Sequence, residues 1–198
     1  MPAIWLAVDA FTDGLGTNPV EALLHRSGWW TLTFLMLTLT VTPLRQLTGL
    51  GWLIKLRRTL GLYAFFYATL HFGIYLGIDQ FFAWEFILED IAERPYITLG
   101  FTALLLLAPL ALTSTKGMIK RLGGARWRRL HRLVYVAAAL GVIHFLWLVK
   151  ADIREPAIFG LALVVLLGYR VVAPRVRRAL AAPARRSERG GRLRTSDA

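Results

Sequence analysis

Polar and apolar positions along this chain segregate into long blocks, without the short alternation of a half-buried strand. Five runs contain no charged residue: Ser27 to Leu44, Thr59 to Ile78, Pro95 to Thr115, Leu133 to Val149 and Pro156 to Tyr169. At 14 to 21 residues each, most reach or approach the roughly 20 that a helix needs to cross about 30 Å of hydrocarbon. The last run is short, but it becomes adequate if Arg170 snorkels toward the headgroups so that Val171, Val172 and Ala173 complete the span. Met1 to Val8 is also apolar, yet at eight residues it is too short to cross alone. The pattern predicts an all-α polytopic membrane helix bundle of five full spans plus a truncated N-terminal helix. Residues 1–26 would form that helix and its outer connection, 27–173 the membrane domain, and 174–198 a basic tail.

Composition supports this class. The 198 residues are 56% hydrophobic and 18% charged, against about 25% charged in an average soluble domain. Cysteine is absent, which removes iron-sulfur clusters, thiolate-bound haem, disulfides and covalent c-type haem attachment. A net charge of +12 would suggest nucleic acid in a soluble chain, but here its distribution reports topology. Arg45, Lys55, Arg57 and Arg58 follow the first run, and seven Lys and Arg between Lys116 and Arg132 follow the third. The tail after the fifth run is arginine-rich. The Asp79 to Arg94 loop instead sets five acids against one arginine, and Lys150 to Glu155 balances two of each sign. The positive-inside rule then makes the basic loops and C-terminus cytoplasmic and turns the acidic loop outward, toward the periplasm of a bacterium.

That acidic loop interleaves Phe81, Phe82, Trp84, Phe86, Ile87 and Ile91 with its carboxylates, a pattern suited to a short helix lying at the interface. It serves as an aromatic belt or as a docking surface for an outside partner. The tail from Ala181 is rich in arginine, alanine and serine, which predicts disorder near anionic headgroups.

Two histidines, His71 and His144, lie inside charge-free runs. An imidazole in hydrocarbon needs a partner for both ring nitrogens, and it is a leading ligand of haem iron. Both runs enter from the cytoplasm. His71 stands seven residues before Ile78 and His144 five before Val149, so they should lie roughly 10 Å and 7 to 8 Å below the outer ends. Two nearly level imidazoles on parallel helices suit a single iron gripped from both sides. Ala64, Tyr67, Ala68 and Tyr75 share the face of His71, and Ala137, Gly141 and Trp147 that of His144. Hydrogen bonding across helix interfaces and a proton or ion pathway remain open for the same pair.

His131 differs, because it stands among Arg128, Arg129 and Arg132 at the cytoplasmic interface. It lies thirteen residues from His144, about 140° around an ideal helix. A second, inner haem would want a histidine one haem layer below His71, and that position holds Arg57. Beside so many arginines, His131 suits contact with a phosphate-bearing cofactor such as flavin mononucleotide. His25 is expected at the interface, within reach of a haem propionate or a partner.

Several stretches carry a family resemblance. Arg57-Arg58-Thr59-Leu60-Gly61-Leu62 leading to Thr69-Leu70-His71, Arg94-Pro95-Tyr96-Ile97-Thr98-Leu99-Gly100, and Leu112-Thr113-Ser114-Thr115 resemble the MsrQ (YedZ) family. So do Arg126-Trp127-Arg128-Arg129-Leu130-His131-Arg132-Leu133-Val134-Tyr135 and Ile143-His144-Phe145-Leu146-Trp147. These motifs occur in family order over residues 17 to 172. The resemblance implies the ferric-reductase-like transmembrane superfamily and a haem domain over residues 27–173.

It also implies a role. MsrQ proteins carry haem b and FMN, take electrons from a cytoplasmic flavin reductase or the quinone pool, and pass them to MsrP. That partner is a periplasmic molybdopterin enzyme that reduces methionine sulfoxide in damaged proteins. By this resemblance the chain is a non-catalytic electron-transfer subunit in the inner membrane, with His71 and His144 as axial ligands of haem iron. His131 is a third cofactor-binding candidate. Members of the family have six membrane helices, of which the first is represented here only by Met1 to Val8. Two other functions fit the spacing alone: a generic ferric-reductase-like or quinone-linked cytochrome b, and a proton-coupled transporter. A transporter would more typically show an intramembrane carboxylate, and the five runs hold no Asp or Glu.

Overall fold

The computed structural model describes residues 2–149 and 152–194, with side chains, that of Asp13 apart, as far as Val176. Among the described residues every regular element is helical. A short α1 (Pro2–Phe11) leads to α2 (Pro19–Thr48), α3 (Leu56–Ile74) and α4 (Trp84–Glu93). Then come α5 (Pro95–Leu112), the small α6 (Lys116–Leu122) and α7 (Gly124–Leu130), α8 (Leu133–Leu148) and α9 (Arg154–Arg194).

Local sequence explains the boundaries. Asn18 caps α2 through its side-chain oxygen, which accepts from the Glu21 N–H, and Pro19 occupies the first turn where no N–H is needed. Gly49 closes the same helix at φ 74°, a left-handed conformation that only glycine adopts without strain. Thr115 caps α6 in the same way as Asn18 caps α2. After α3 the chain widens into a π-helical turn, Tyr75–Asp79. Phe81 and Phe82 then take φ of 48° and 57°, two successive left-handed aromatic residues that turn the chain into α4.

The chain forms two compact units, Met1–Leu163 and Val164–Ala198. In the first, α2 packs on α3 and α5 on α8, while α3–α5 and α2–α8 contacts close the four helices into a ring. Small residues permit the close approach. Ala64, Ala137 and Ala138 are wholly buried, as expected where apolar lipid leaves van der Waals packing to hold helices together. The second unit is the remainder of α9, helical as far as Arg194. The expected disorder of 174–198 falls mostly on residues whose side chains lie outside the described set.

Among the described residues, four stretches are long and apolar enough to cross a membrane: Gly51–Asp79, Pro95–Leu112, Gly124–Leu148 and Arg154–Val176. These match four of the five expected spans. The remaining one, Ser27 to Leu44, lies in the 30-residue α2 but does not reach the same hydropathy, because Trp29, Trp30 and the threonines at 31, 33, 38, 40 and 42 dilute its leucines. Its hydroxyls cost little in hydrocarbon where they bond backwards: Thr31, Thr38 and Thr40 donate to the carbonyls of Ser27, Phe34 and Met36. The multi-pass helical architecture is therefore as the hydropathy pattern predicts, and the exact number of spans turns on α2. The amphipathic segment expected in the acidic loop is α4, with Ile87 buried and Trp84, Phe86 and Leu88 exposed.

The short α1 lies against α2. Leu6 is buried, Arg26 pairs with Asp9, and the Ala3 N–H donates to the Tyr67 hydroxyl at 2.7 Å. Tyr67 itself is wedged between Phe34 and Phe66, with ring centres 5.3 Å from each. Tyr67→Phe keeps these ring contacts and removes only the hydroxyl. It is expected to cost about 1 kcal/mol and to loosen α1, read as a lower thermal midpoint in detergent and faster proteolysis within residues 2–11.

Candidate functional site

A cavity of about 250 Å³ lies between α2, α3, α5 and α8, and both His71 and His144 line it. Their ring centres are 6.2 Å apart and their planes nearly perpendicular, at 81°. The two depths estimated from sequence thus meet in one place.

Each ring is held by the helix beside its own. The His71 Nδ1–H donates to the Leu24 carbonyl of α2 at 2.9 Å, with the Ser27 hydroxyl oxygen 3.1 Å from the same nitrogen. Ser27 is fully buried and directs its own proton to the Leu23 carbonyl at 2.7 Å, so its oxygen is left to accept. The His144 Nδ1–H donates to the Tyr96 carbonyl of α5 at 2.7 Å. A carbonyl only accepts, so each bond assigns the proton to Nδ1 and leaves Nε2 with its lone pair. That is the tautomer in which an imidazole binds a metal, with the second nitrogen anchored to a backbone carbonyl.

A glycine stands one turn after each acceptor. A Cβ on Gly28, four residues after Leu24, would lie 3.3 Å from His71 Cε1. A Cβ on Gly100, four residues after Tyr96, would lie 2.9 Å from His144 Nδ1 and 3.1 Å from its Cε1. In a helix the carbonyl of residue i−4 already accepts from the N–H of residue i. A missing side chain at i gives an imidazole room to reach that carbonyl as well. The two halves of the site therefore repeat one device: a histidine on one helix, and a carbonyl and glycine on its neighbour.

An imidazole nitrogen binds a metal at about 2 Å, so two rings opposed across a single ion place their centres roughly 6 Å apart. The observed separation meets this requirement. Ala68, Ala137 and Gly141 also line the cavity and keep it wide. Three neighbours expected on the histidine faces are not among the cavity-lining residues: Ala64 is wholly buried elsewhere, Tyr67 bonds α1, and Trp147 is 60% exposed. Tyr75 does line the cavity, at its acidic end.

His131 is not among the cavity-lining residues. It ends α7, where its ring stacks on Trp127 with centres 3.9 Å apart and its Nδ1–H donates to the Trp127 carbonyl at 3.2 Å. Its Nε2 is buried without a hydrogen-bond partner among the described residues. His25 lines the cavity, lies edge-on to Phe145 with centres 5.4 Å apart, and stands 3.7 Å from Glu155. Sequence reasoning missed Ser27, Gly28, Gly100 and the two carbonyls. The glycines were visible as breaks in apolar runs, but backbone acceptors carry no sequence signal.

Comparison with known proteins gives a consistent result. Residues 27–142 match the family described as ferric reductase like transmembrane component. A protein of Herminiimonas arsenicoxydans, named protein-methionine-sulfoxide reductase heme-binding subunit MsrQ, is 55% identical over 168 residues, 84% of this chain and 77% of that protein. Proteins of the same name from Azospira oryzae and Xanthomonas oryzae pv. oryzae are each 54% identical, over 87% and 84% of this chain and 74% and 76% of their own lengths.

Gly100→Ala is expected to push the His144 ring off the Tyr96 carbonyl, because the new methyl falls inside contact distance of the imidazole. Gly28→Ala, with its gentler contact, should largely keep the His71 bond. Nitrogen NMR of ring-labelled histidine would show the His144 Nδ1–H signal lost in the first variant and the His71 signal retained in the second.

Proposed function

Because this chain belongs to the haem-binding MsrQ subunits of the ferric-reductase-like transmembrane family, we propose that it holds a haem b between His71 and His144. Through that haem it passes electrons across the bacterial inner membrane to a periplasmic methionine-sulfoxide reductase of the MsrP type. The observation that carries this reading is the pair of imidazoles lining one cavity, each anchored through Nδ1, with ring centres 6.2 Å apart.

A haem in this site supplies one-electron redox chemistry at its iron. The protein's part is positional. Leu24 and Tyr96 fix the ring tautomers and raise the donor strength of both Nε2 atoms. Gly28 and Gly100 clear the rings' approach, and the apolar wall of Leu32, Leu35, Leu104 and Leu107 keeps water from the cavity. The chain has no part in binding the oxidised methionine, whose reduction belongs to the partner.

The basic end completes the proposal. With basic loops and C-terminus in the cytoplasm, Arg57, Arg128, Arg129 and Arg132 around His131 suit the phosphate of FMN. A cytoplasmic flavin reductase or the quinone pool then delivers electrons from that side. His131, with an unpartnered buried Nε2, is the third cofactor-binding residue, for haem or for the flavin region.

Purified protein expressed with adequate haem is expected to show a Soret band and six-coordinate spectra that respond to dithionite. His71→Ala and His144→Ala should each abolish the six-coordinate spectrum, with His131→Ala milder; a haem-free wild-type chain would overturn the assignment. Membranes lacking the chain are expected to lose the reduction of MsrP, and unchanged reduction would refute its role as the electron source.

A further inference from the structure

At the acidic end of the histidine cavity, Tyr75, Asp90, Arg94 and Tyr96 line the same wall and bond to one another. Arg94 Nε lies 3.0 Å from Asp90 Oδ1, and the Tyr75 hydroxyl donates to Asp90 Oδ2 at 3.1 Å. Arg94 Nη1 donates to the Tyr96 hydroxyl oxygen at 3.4 Å. The Asp90 side chain is only 13% exposed while that of Arg94 is 56% exposed, so the carboxylate forms the base of the cluster and the guanidinium its open tip.

The donor and acceptor count of this cluster does not balance. Both Asp90 oxygens are engaged. The Arg94 Nη2 donors and the Tyr96 hydroxyl proton have no partner among the described contacts. Of the nearby Asp79 carboxylate, Oδ2 accepts from the Gln80 amide at 2.9 Å. What the cluster offers to the cavity is thus a set of donors, on a planar fork that matches a carboxylate. Arg94 is also the N-cap residue of α5, where the helix dipole favours an anion. It precedes Gly100 by six residues, about 9 Å toward the acidic end along the helix. The same helix therefore positions both His144 and the fork.

We infer that Arg94 and Tyr96, braced by Asp90 and Tyr75, clasp a carboxylate side arm of the porphyrin at the mouth of the histidine cavity. The inference rests on the haem assignment above and adds to it an orientation: the porphyrin enters with its anionic edge toward the acidic end. Asp90 is a positioning residue, which holds the guanidinium over the mouth and does not touch the ligand.

The test is a Soret titration of the full-length apoprotein in detergent with two probes, haem b and its dimethyl ester, which lacks the anionic arms. Arg94→Gln is expected to weaken haem b binding roughly tenfold and to leave binding of the diester unchanged. Arg94→Lys should recover part of the loss by restoring charge without the fork, and Tyr96→Phe should show a smaller loss confined to haem b. Equal affinity of wild type and Arg94→Gln for haem b would overturn the clasp. So would a parallel loss for both probes, which marks a structural defect. Failure of the wild-type chain to bind either porphyrin would overturn the haem assignment itself.

Discussion

Everything at the centre of this protein depends on two hydrogen bonds, from the Nδ1–H of His71 to the Leu24 carbonyl and from that of His144 to the Tyr96 carbonyl. A histidine in a membrane interior is costly unless its ring is satisfied. These bonds satisfy one nitrogen on each ring and reserve the other. Without them, either ring could rotate or change tautomer, and the second nitrogen would have no defined direction. With them, two imidazoles from different helices sit 6.2 Å apart as a preformed pair.

The helix packing follows from that requirement. Each acceptor carbonyl belongs to a helix whose own ladder already uses it, so the imidazole approaches over a residue with no side chain, Gly28 or Gly100. Pairing α2 with α3 and α5 with α8 places one histidine against one such glycine twice over. The ring of four helices then brings the two pairs face to face. Small residues at the contacts, Ala64, Ala137 and Ala138, let the backbones come close enough for this. Back-bonded threonines on α2 allow a helix of moderate hydropathy to take part without leaving hydroxyls such as those of Thr31, Thr38 and Thr40 unpaired. At the acidic end, the chain spends two left-handed aromatic residues, Phe81 and Phe82, to fold α4 back so that Asp90 can reach Arg94 and Tyr75.

Much of this was legible beforehand. Four of the five charge-free runs fall on helices long and apolar enough to cross a membrane, because excluding charge from hydrocarbon is a composition rule that needs no tertiary information. Counting residues to the ends of two runs placed His71 and His144 at one depth, since rise per residue is constant in a helix. Angular counting separated His131, and in the structure it does lie apart, stacked on Trp127. Facial arithmetic also picked Ala68, Ala137 and Gly141, which line the cavity. It failed for Ala64, Tyr67 and Trp147, because a shared helical face is wider than a cavity and one edge of it meets another helix or lipid. Ser27 and the Asp90–Arg94 pair escaped notice because their significance depends on which helix lies opposite.

By itself, then, the sequence determined that this is a multi-pass helical membrane protein with two level intramembrane histidines and no cysteine chemistry. These properties follow from local rules of hydropathy, charge and helical rise. Only the tertiary structure decided that the two rings face one cavity, which nitrogen of each is free, and which glycines make room. Those outcomes depend on backbone carbonyls and on the rotation of one helix against another, and neither is written in the identity of any single residue.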